Sequence, residues 1–362
     1  SLYLGMALEA AGDLGGALAA YGRAHDASPK DISVLVRLGS ALLAAGDLKR
    51  GEESLEQALR AGPNCMGEIA QVYAQLAKRF SDGGRLAEAV DWCRKAAAAA
   101  PSDLSHRIRL AEALEARELH DEAAGEYRGV LMAAPQSPRA AQRLDATLAK
   151  KRTPEERVAF WREIAAAHPE SAIPSLYLGM ALETTGDLNG GLAEYRKAHD
   201  ADPENALALV RLGGALLAAG DTVQGEKALG RALHANEDYR NDVAEAYARL
   251  AKRLSDEGKH AEAADWQRKA ADTAPANLAH RVRLAEILET GERYDEAVKE
   301  YRRVLMTTPE SPHSAERLDG ILVKRNMLKE RTALWREIAA AHPDAELPAR
   351  YLKMAGGDGT GQ

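Results

Sequence analysis

Aromatic residues are scarce in this chain: 5% of 362 positions, with two Phe. A core cannot then be built around large rings. It must be assembled mostly from Ala, Leu and Val, in a chain that is 46% hydrophobic and 28% charged. Alanine-heavy, charge-rich chains of this kind are helix formers. Cysteine is scarcer still. Cys65 and Cys93 are the only two, too few for a disulfide framework, and they read as free thiols in a reducing compartment. No run approaches the ~20 apolar residues of a membrane span, and no basic-then-apolar segment reads as a signal peptide. A basic excess is lacking too: the formal net charge is −7 and the pI about 5.9, which argues against a nucleic-acid partner. The expectation is a cytoplasmic protein with no membrane contact. A removed leader stays open, because the chain starts at Ser1 in mid-pattern and reads as a piece of something longer.

Catalytic signatures are also missing. There is no HExxH, no GxSxG and no Walker loop. The glycine-rich GGDGTGQ at 356–362 has no strand before it and no helix after it, so it reads as a flexible tail and not a phosphate cradle. His25, His168, His199 and His342 fall near the ends of helical segments, where a cation is mildly favoured. His106 and His280 open two others. No spacing among them fits a metal. We expect no enzyme activity, no cofactor and no metal. Ser137-Pro138 and Ser311-Pro312 read as an N-cap followed by a first-turn proline, in preference to phosphorylation sites.

What is present is repetition. SLYLGMALE occupies Ser1–Glu9 and returns unchanged at Ser175–Glu183, and a decayed third copy, ARYLKMAG, begins at Ala349. WREIAAAHP likewise stands at 161–169 and 335–343. Pro29, Pro63, Pro101, Pro135, Pro169 and Pro203 step by 34, 38, 34, 34 and 34 residues, and periods of this length mark solenoid repeats. The steps sum to 174, the offset between the two copies, and about 100 of those 174 positions are identical. A five-repeat block has been duplicated in tandem.

Within one repeat, residues 34–63, Leu35, Leu38 and Leu42 recur at helical spacing. Gly46 should end that helix in the left-handed region, Asp47 should cap the next, and Pro63 should close it. Small residues (Gly39, Gly51, Ala58) sit where the helices should cross, with Leu35, Leu38, Leu42 and Leu55 filling between. The third and eighth repeats carry four extra residues, at 76–89 and 250–263, which predicts a first helix one turn longer. The fifth and tenth lack the Gly-Asp turn. The fifth carries TPEE at 153–156, a capping-box pattern, and both place Trp161 and Trp335 in the aromatic slot.

This pattern resembles the tetratricopeptide repeat family. The match runs Leu4-Gly5, Leu8, Gly12-Asp13, Ala17, Tyr21, Ala24, Pro29, and again Leu178-Gly179, Leu182, Gly186-Asp187, Gly191, Tyr195, Ala198, Pro203. It covers residues 1–348 as ten repeats. The resemblance implies an all-α, right-handed α-solenoid of about ten helix-turn-helix units, with a C-terminal capping helix. We expect blocks at 1–174 and 175–348 and a capping helix and tail at 349–362, in one continuous solenoid.

The resemblance also implies a function. In this family the first helix of each repeat lines a concave groove, and the residue before Leu-Gly points into it. Here that position holds Tyr3, Arg37, Gln71, Arg109 and Arg143, then Tyr177, Arg211, Glu245, Arg283 and Arg317, then Tyr351. Lys78, Arg139, Lys150, Lys252 and Lys324 fall nearby. Arginine presents a planar fork of donors suited to carboxylates. The stripe has two readings. It can be structural, with Arg109 pairing to Glu112 and Arg283 to Glu286 three residues on. It can instead face a ligand, with Tyr3, Arg37, Arg109, Arg143, Tyr177, Arg211, Arg283 and Arg317 as the partner-binding set. The expected function is a protein-protein interaction scaffold holding an extended, acidic peptide segment. The family's carboxylate clamp needs asparagine at two groove positions, where this chain has Met6 and Arg37, or Met180 and Arg211. Rival expectations are a recognition arm of a larger bacterial glycosyltransferase or methyltransferase, and a scaffold that self-associates end to end. The Ala, Gly and Arg bias suggests a GC-rich bacterial source.

Overall fold

The structure, a computed structural model, describes residues 1–357. The described chain is all-α, with 21 α-helices and no strand among the described residues. It divides into two compact units, one of Ser1–Gly186 and one beginning at Asp187.

The first unit holds α1 (Leu2–Ala10), α2 (Leu14–Ala27), α3 (Ile32–Ala45), α4 (Leu48–Ala61), α5 (Met66–Asp82) and α6 (Leu86–Ala99). It continues with α7 (Leu104–Ala116), α8 (His120–Ala133), α9 (Pro138–Lys151), α10 (Pro154–Ala167) and α11 (Ala172–Thr184). The second unit holds α12 (Leu188–Ala201), α13 (Ala206–Ala219), α14 (Thr222–Ala235), α15 (Arg240–Asp256) and α16 (His260–Thr273). It closes with α17 (Leu278–Thr290), α18 (Tyr294–Thr307), α19 (Pro312–Lys324), α20 (Leu328–Ala341) and α21 (Glu346–Gly357). Inside each unit most helices pack on the next in sequence, and first helices of neighbouring repeats also touch, as α3 on α5 and α13 on α15. Contacts this local define a solenoid, in which each repeat buries its apolar face only against its neighbours.

The turns explain the helix lengths. Gly46 ends α3 at φ 92°, and the Asp47 carboxylate accepts from the Arg50 N–H at 3.2 Å to start α4. Glu118, Glu292 and Asn326 adopt φ 60°, 59° and 56° at the corresponding positions of repeats that lack glycine there. The tenth repeat therefore keeps the left-handed turn through Asn326, although its sequence lacks Gly-Asp. The fifth departs, and its capping box forms: Thr153 N–H donates to Glu156 Oε2 at 2.9 Å, and Glu156 N–H to Thr153 Oγ1 at 3.3 Å. Ser137 caps α9, whereas the Ser311 hydroxyl donates to Ser314 Oγ at 3.0 Å and leaves the α19 N–H groups uncapped.

Crossings are close where glycine allows them. A Cβ on Gly39 would lie 2.7 Å from Leu55 and 3.0 Å from the Gly51 carbonyl; one on Gly51 would lie 2.7 Å from Leu43 and 3.0 Å from the Gly39 carbonyl. Gly213 and Gly225 repeat this lock between α13 and α14. The predicted extra turn is present: α5 and α15 run 17 residues each. Its purpose is visible. Arg79, in the last turn of α5, donates to the Ala44 carbonyl at 3.5 Å, and Arg253 of α15 donates to the carbonyls of Leu217, at 3.0 Å, and Ala218. A guanidinium thus satisfies carbonyls at the end of the preceding first helix, which have no partner within it.

Each compact unit ends in the same way. Trp161 of α10 is fully buried and stacks on Tyr177 of α11, centroids 4.8 Å apart. Trp335 of α20 stacks on Tyr351 of α21 at 4.6 Å. Such pairs add about 0.5–1.5 kcal/mol beyond burial. The decayed third copy is the expected capping helix. It runs through Gly356 and Gly357, which the sequence reading assigned to a flexible tail; the rest of that tail, 358–362, lies outside the described residues.

The Gly39–Gly51 contact makes a prediction. Gly51→Ala should cost about 1–3 kcal/mol by overpacking against backbone. Gly125→Ala, on α8 where an added Cβ meets nothing within 4 Å, should stabilise by about 0.5–1 kcal/mol. Thermal unfolding followed by circular dichroism should move the two midpoints in opposite directions.

Candidate partner-binding face

The first helices of the repeats carry the arginine stripe, and the structure shows what those arginines touch. Glu9 accepts from the Tyr21 hydroxyl at 2.6 Å and lies 4.0 Å from Arg37. Glu115 accepts from Tyr127 at 2.9 Å and from Thr147 at 2.6 Å, and lies 3.3 Å from Arg143. Glu289 accepts from Tyr301 at 3.2 Å and lies 3.0 Å from Arg317. In each case one carboxylate joins three segments: its own first helix, the buried tyrosine of the second helix, and the arginine of the next repeat. Burial and the Glu9 hydrogen bond together push the Tyr21 phenol up to about 12, so it stays a donor. In the fifth and tenth repeats tryptophan and aspartate take these roles. Trp161 Nε1 donates to Asp145 at 3.0 Å, and Trp335 Nε1 to Asp319 at 2.7 Å. Arg157 and the buried Arg331 complete those pairs.

Arg37, Arg143 and Arg317 are therefore engaged by carboxylates of the preceding repeat, and Arg37 has Glu68 at 3.7 Å as well. Arg283 pairs with Glu245 of the preceding repeat at 3.4 Å. The expected pairs three residues on do not form. Glu112 turns to Arg139 of the next repeat at 2.5 Å, and Glu286 to His313 at 2.7 Å. Arg109 and Lys78 have no ion-pair partner among the described residues. Arg211 is half-buried, with its Nε enclosed and unpartnered. Tyr3 is 83% exposed, whereas Tyr177 is 8% exposed and is occupied by the Trp161 stack. The stripe residues thus do not converge on one site.

Two clefts open on this face. The first, about 400 Å³, lies between α5 and α7 and is lined by Gln71, Gln75, Lys78, Arg109 and Glu112, with Cys93 of α6 at its floor. The second, about 460 Å³, lies between α15 and α17 and is lined by Glu245, Arg249, Lys252, Arg283 and Glu286, with Gln267 of α16 at its floor. Each second-cleft residue stands 174 positions after its counterpart. Both clefts lie beside the longer first helices, α5 and α15. Burial pushes the Cys93 thiol up to about 11, so it stays protonated and unreactive. Cys65 and Cys93 are both free. Gln267 makes the floor polar, donating to the His280 carbonyl at 2.9 Å.

Behind each cleft lies a buried histidine. His106 is 3% exposed with Asp103 at 3.5 Å, and His280 is fully buried with Glu245 at 3.8 Å. Burial holds both imidazoles below their ordinary 6.5; the carboxylates oppose this, and Arg109 and Arg283 reinforce it. Among the described residues, no group of three or more His, Cys, Asp or Glu is placed to hold a metal, and no helix is long and apolar enough to cross a membrane.

Comparison with known proteins gives the following. A tetratricopeptide repeat family model matches residues 8–76 and 163–250, and a second model of the same description matches 249–315. Among solved structures, a fragment of MamA from Desulfovibrio magneticus RS-1 is 22% identical, covering 48% of this chain and 98% of its own, with a TM-score of 0.34. YrrB, described as a TPR protein with an unusual peptide-binding site, is 17% identical over 51% of this chain and 98% of its own, TM-score 0.34. TTC0263 of Thermus thermophilus is 24% identical over the same shares, TM-score 0.34. No curated protein matches the chain.

The contacts around Glu115 and the buried histidines set two expectations. Glu115 has a side chain only 9% exposed, while Arg143 is 47% exposed. Glu115→Ala strips the acceptor from buried Tyr127 and should cost about 1–3 kcal/mol. Arg143→Ala should cost at most about 1 kcal/mol. Urea unfolding of the two variants should show that order. The histidines predict an acid dependence. In the unfolded chain they protonate near the ordinary value, but in the fold only at lower pH. Between those values the unfolded state holds more protons, so stability falls as pH drops below about 6.5. The thermal midpoint should fall from about pH 7.5 to about pH 5.5 more in the parent protein than in a His106→Gln/His280→Gln variant.

Proposed function

Because the chain belongs to the tetratricopeptide repeat family, whose repeats serve as protein-interaction scaffolds, we propose that it is a non-enzymatic scaffold gripping an extended, acidic segment of a partner protein. The face presented by the first helices is the working surface, and the clefts at α5–α7 and α15–α17 are its anchor points. The observation that carries this reading is the paired placement of Lys78 with Arg109 and of Lys252 with Arg283. A chain of net charge −7 repeats the same basic pair in the same kind of cleft. Arginine and lysine together suit a carboxylate, and a positive cleft on an acidic body steers acidic segments toward it.

Arg37, Arg143 and Arg317 support that surface by joining repeats, and do not contact the partner in this reading. Affinity is modest per anchor. Hydrogen bonds to charged groups are worth about 1.5–3 kcal/mol each, and ordering an extended segment costs about 2–5 kcal/mol.

The test is a crosslinked pull-down with three baits: the parent chain, a Lys78→Glu/Arg109→Glu variant, and an Arg23→Glu control on the exposed part of α2, each shown folded by circular dichroism. A partner held by the parent and the control but lost by the double variant is the expected result. Equal recovery on all three baits would remove the cleft from the reading.

A further inference from the structure

The two clefts are copies of one ancestral site, yet they differ at the positions that set their charge. Gln71 stands where the second cleft has Glu245, and Gln75 where it has Arg249. The carboxylate of Glu245 lies 3.4 Å from Arg283 and 3.8 Å from His280. Lys252 is likewise matched by Asp256 at 2.9 Å, so the charged side chains lining the second cleft sum to zero, with Glu286 turned to His313 and Arg249 making no ion pair among the described residues. In the first cleft the lining residues Lys78, Arg109 and Glu112 leave a formal charge of +1, and Glu112 is already taken by Arg139. Asp103 also acts on Arg109 through space. Its Oδ1 is committed to the Ser105 N–H at 2.9 Å as the cap of α7 and its Oδ2 lies 3.5 Å from His106, and it makes no ion pair with Arg109. The first cleft thus presents an arginine, a lysine and two amides, and neither cation has a carboxylate within ion-pair distance among the described residues. The second presents the same arginine with a carboxylate already on it.

We infer that the clefts have diverged into one open anchor and one self-occupied anchor: the α5–α7 cleft takes a partner's carboxylate on Arg109 and Lys78, while in the α15–α17 cleft Glu245 supplies that carboxylate from within the chain. This rests on the acidic-segment reading above and makes it more specific. The position of Glu245 on Arg283 marks where a ligand carboxylate sits on Arg109. The residue at 71 and 245 is the specificity determinant: glutamine leaves the anchor open, and glutamate closes it. A tethered carboxylate competes at high effective concentration; an exposed pair worth up to about 1 kcal/mol lowers the affinity of a ligand carboxylate several-fold, and its negative charge repels that ligand besides.

The test reads each anchor separately. Arginine-labelled protein gives Nε–Hε signals for Arg109 and Arg283, assigned with Arg109→Lys and Arg283→Lys. The probe is a short peptide of alternating glutamate and alanine, with its glutamine counterpart as control. In the parent chain the glutamate peptide should shift Arg109 saturably and leave Arg283 unmoved. Gln71→Glu should weaken the Arg109 response on the order of tenfold, corresponding to ~1.4 kcal/mol. Glu245→Gln should make Arg283 respond as Arg109 does. An Arg283 shift equal to that of Arg109 in the parent chain overturns the divergence and leaves the acidic-segment reading standing. An Arg109 response unaltered by Gln71→Glu also overturns it. A peptide that moves neither arginine in the parent chain or in Glu245→Gln removes both the inference and the reading beneath it.

Discussion

One carboxylate shared by three segments is the interaction on which this structure depends. Glu9, Glu115 and Glu289 each accept a hydrogen bond from the hydroxyl of the buried tyrosine of their own repeat and face the arginine of the next. A solenoid has no central core, so its stability is a sum of repeat terms and neighbour terms. Apolar packing of Ala and Leu supplies most of both, but it is weakly directional. The buried tyrosine has one good acceptor, and that acceptor sets the angle at which the next first helix lies down. Where tyrosine gives way to tryptophan, Asp145 and Asp319 accept from the indole and pair with Arg157 and Arg331 of that same second helix, so there the link stays inside the repeat. The stripe of arginines is thus first a consequence of stacking.

That assignment separates support from function. Arginines 37, 143 and 317 hold repeats together, and spending them on a partner would loosen the stack. The clefts at α5–α7 and α15–α17 sit where a longer first helix interrupts the regular spacing, and there the arginine is released from the 28-residue pairing used elsewhere. Arg109, without an ion-pair partner among the described residues, therefore lies where the repeat is irregular. Duplication then supplied two copies of the irregularity, and changes in their lining, glutamine against glutamate at 71 and 245 and glutamine against arginine at 75 and 249, set them apart.

Much of this was legible in the sequence. Helix pairs, the Gly46 turn, the Gly39–Gly51 crossing, the longer third and eighth first helices and a terminal helix all follow from local chemistry or from the period, although that last helix starts at Glu346, three residues before the expected 349. Three features did not. Arg109 and Arg283 were read against Glu112 and Glu286 on the same helix, because three-residue spacing is what a single helix shows. The structure turns those glutamates toward Arg139 and His313 of the next repeat. A signal was available: glutamate followed by tyrosine 12 residues on and arginine 28 residues on recurs at Glu9, Glu115, Glu183 and Glu289. Tyr177 matched Tyr3 letter for letter, yet one is buried on Trp161 and the other exposed, since identical segments meet different neighbours. Asn326 shows that the left-handed turn outlives its glycine, because the packing on both sides fixes the backbone.

The measurement that tests this account most directly is solvent exchange and rotation of the arginine side chains by NMR. Arg37, Arg143, Arg283 and Arg317, each facing a carboxylate of a neighbouring repeat, should exchange slowly and rotate little. Arg109, with no such partner, should exchange fast and rotate freely. Restricted motion at Arg109, or free motion at the other four, would contradict the division between arginines that hold the stack and the one that is open to a partner.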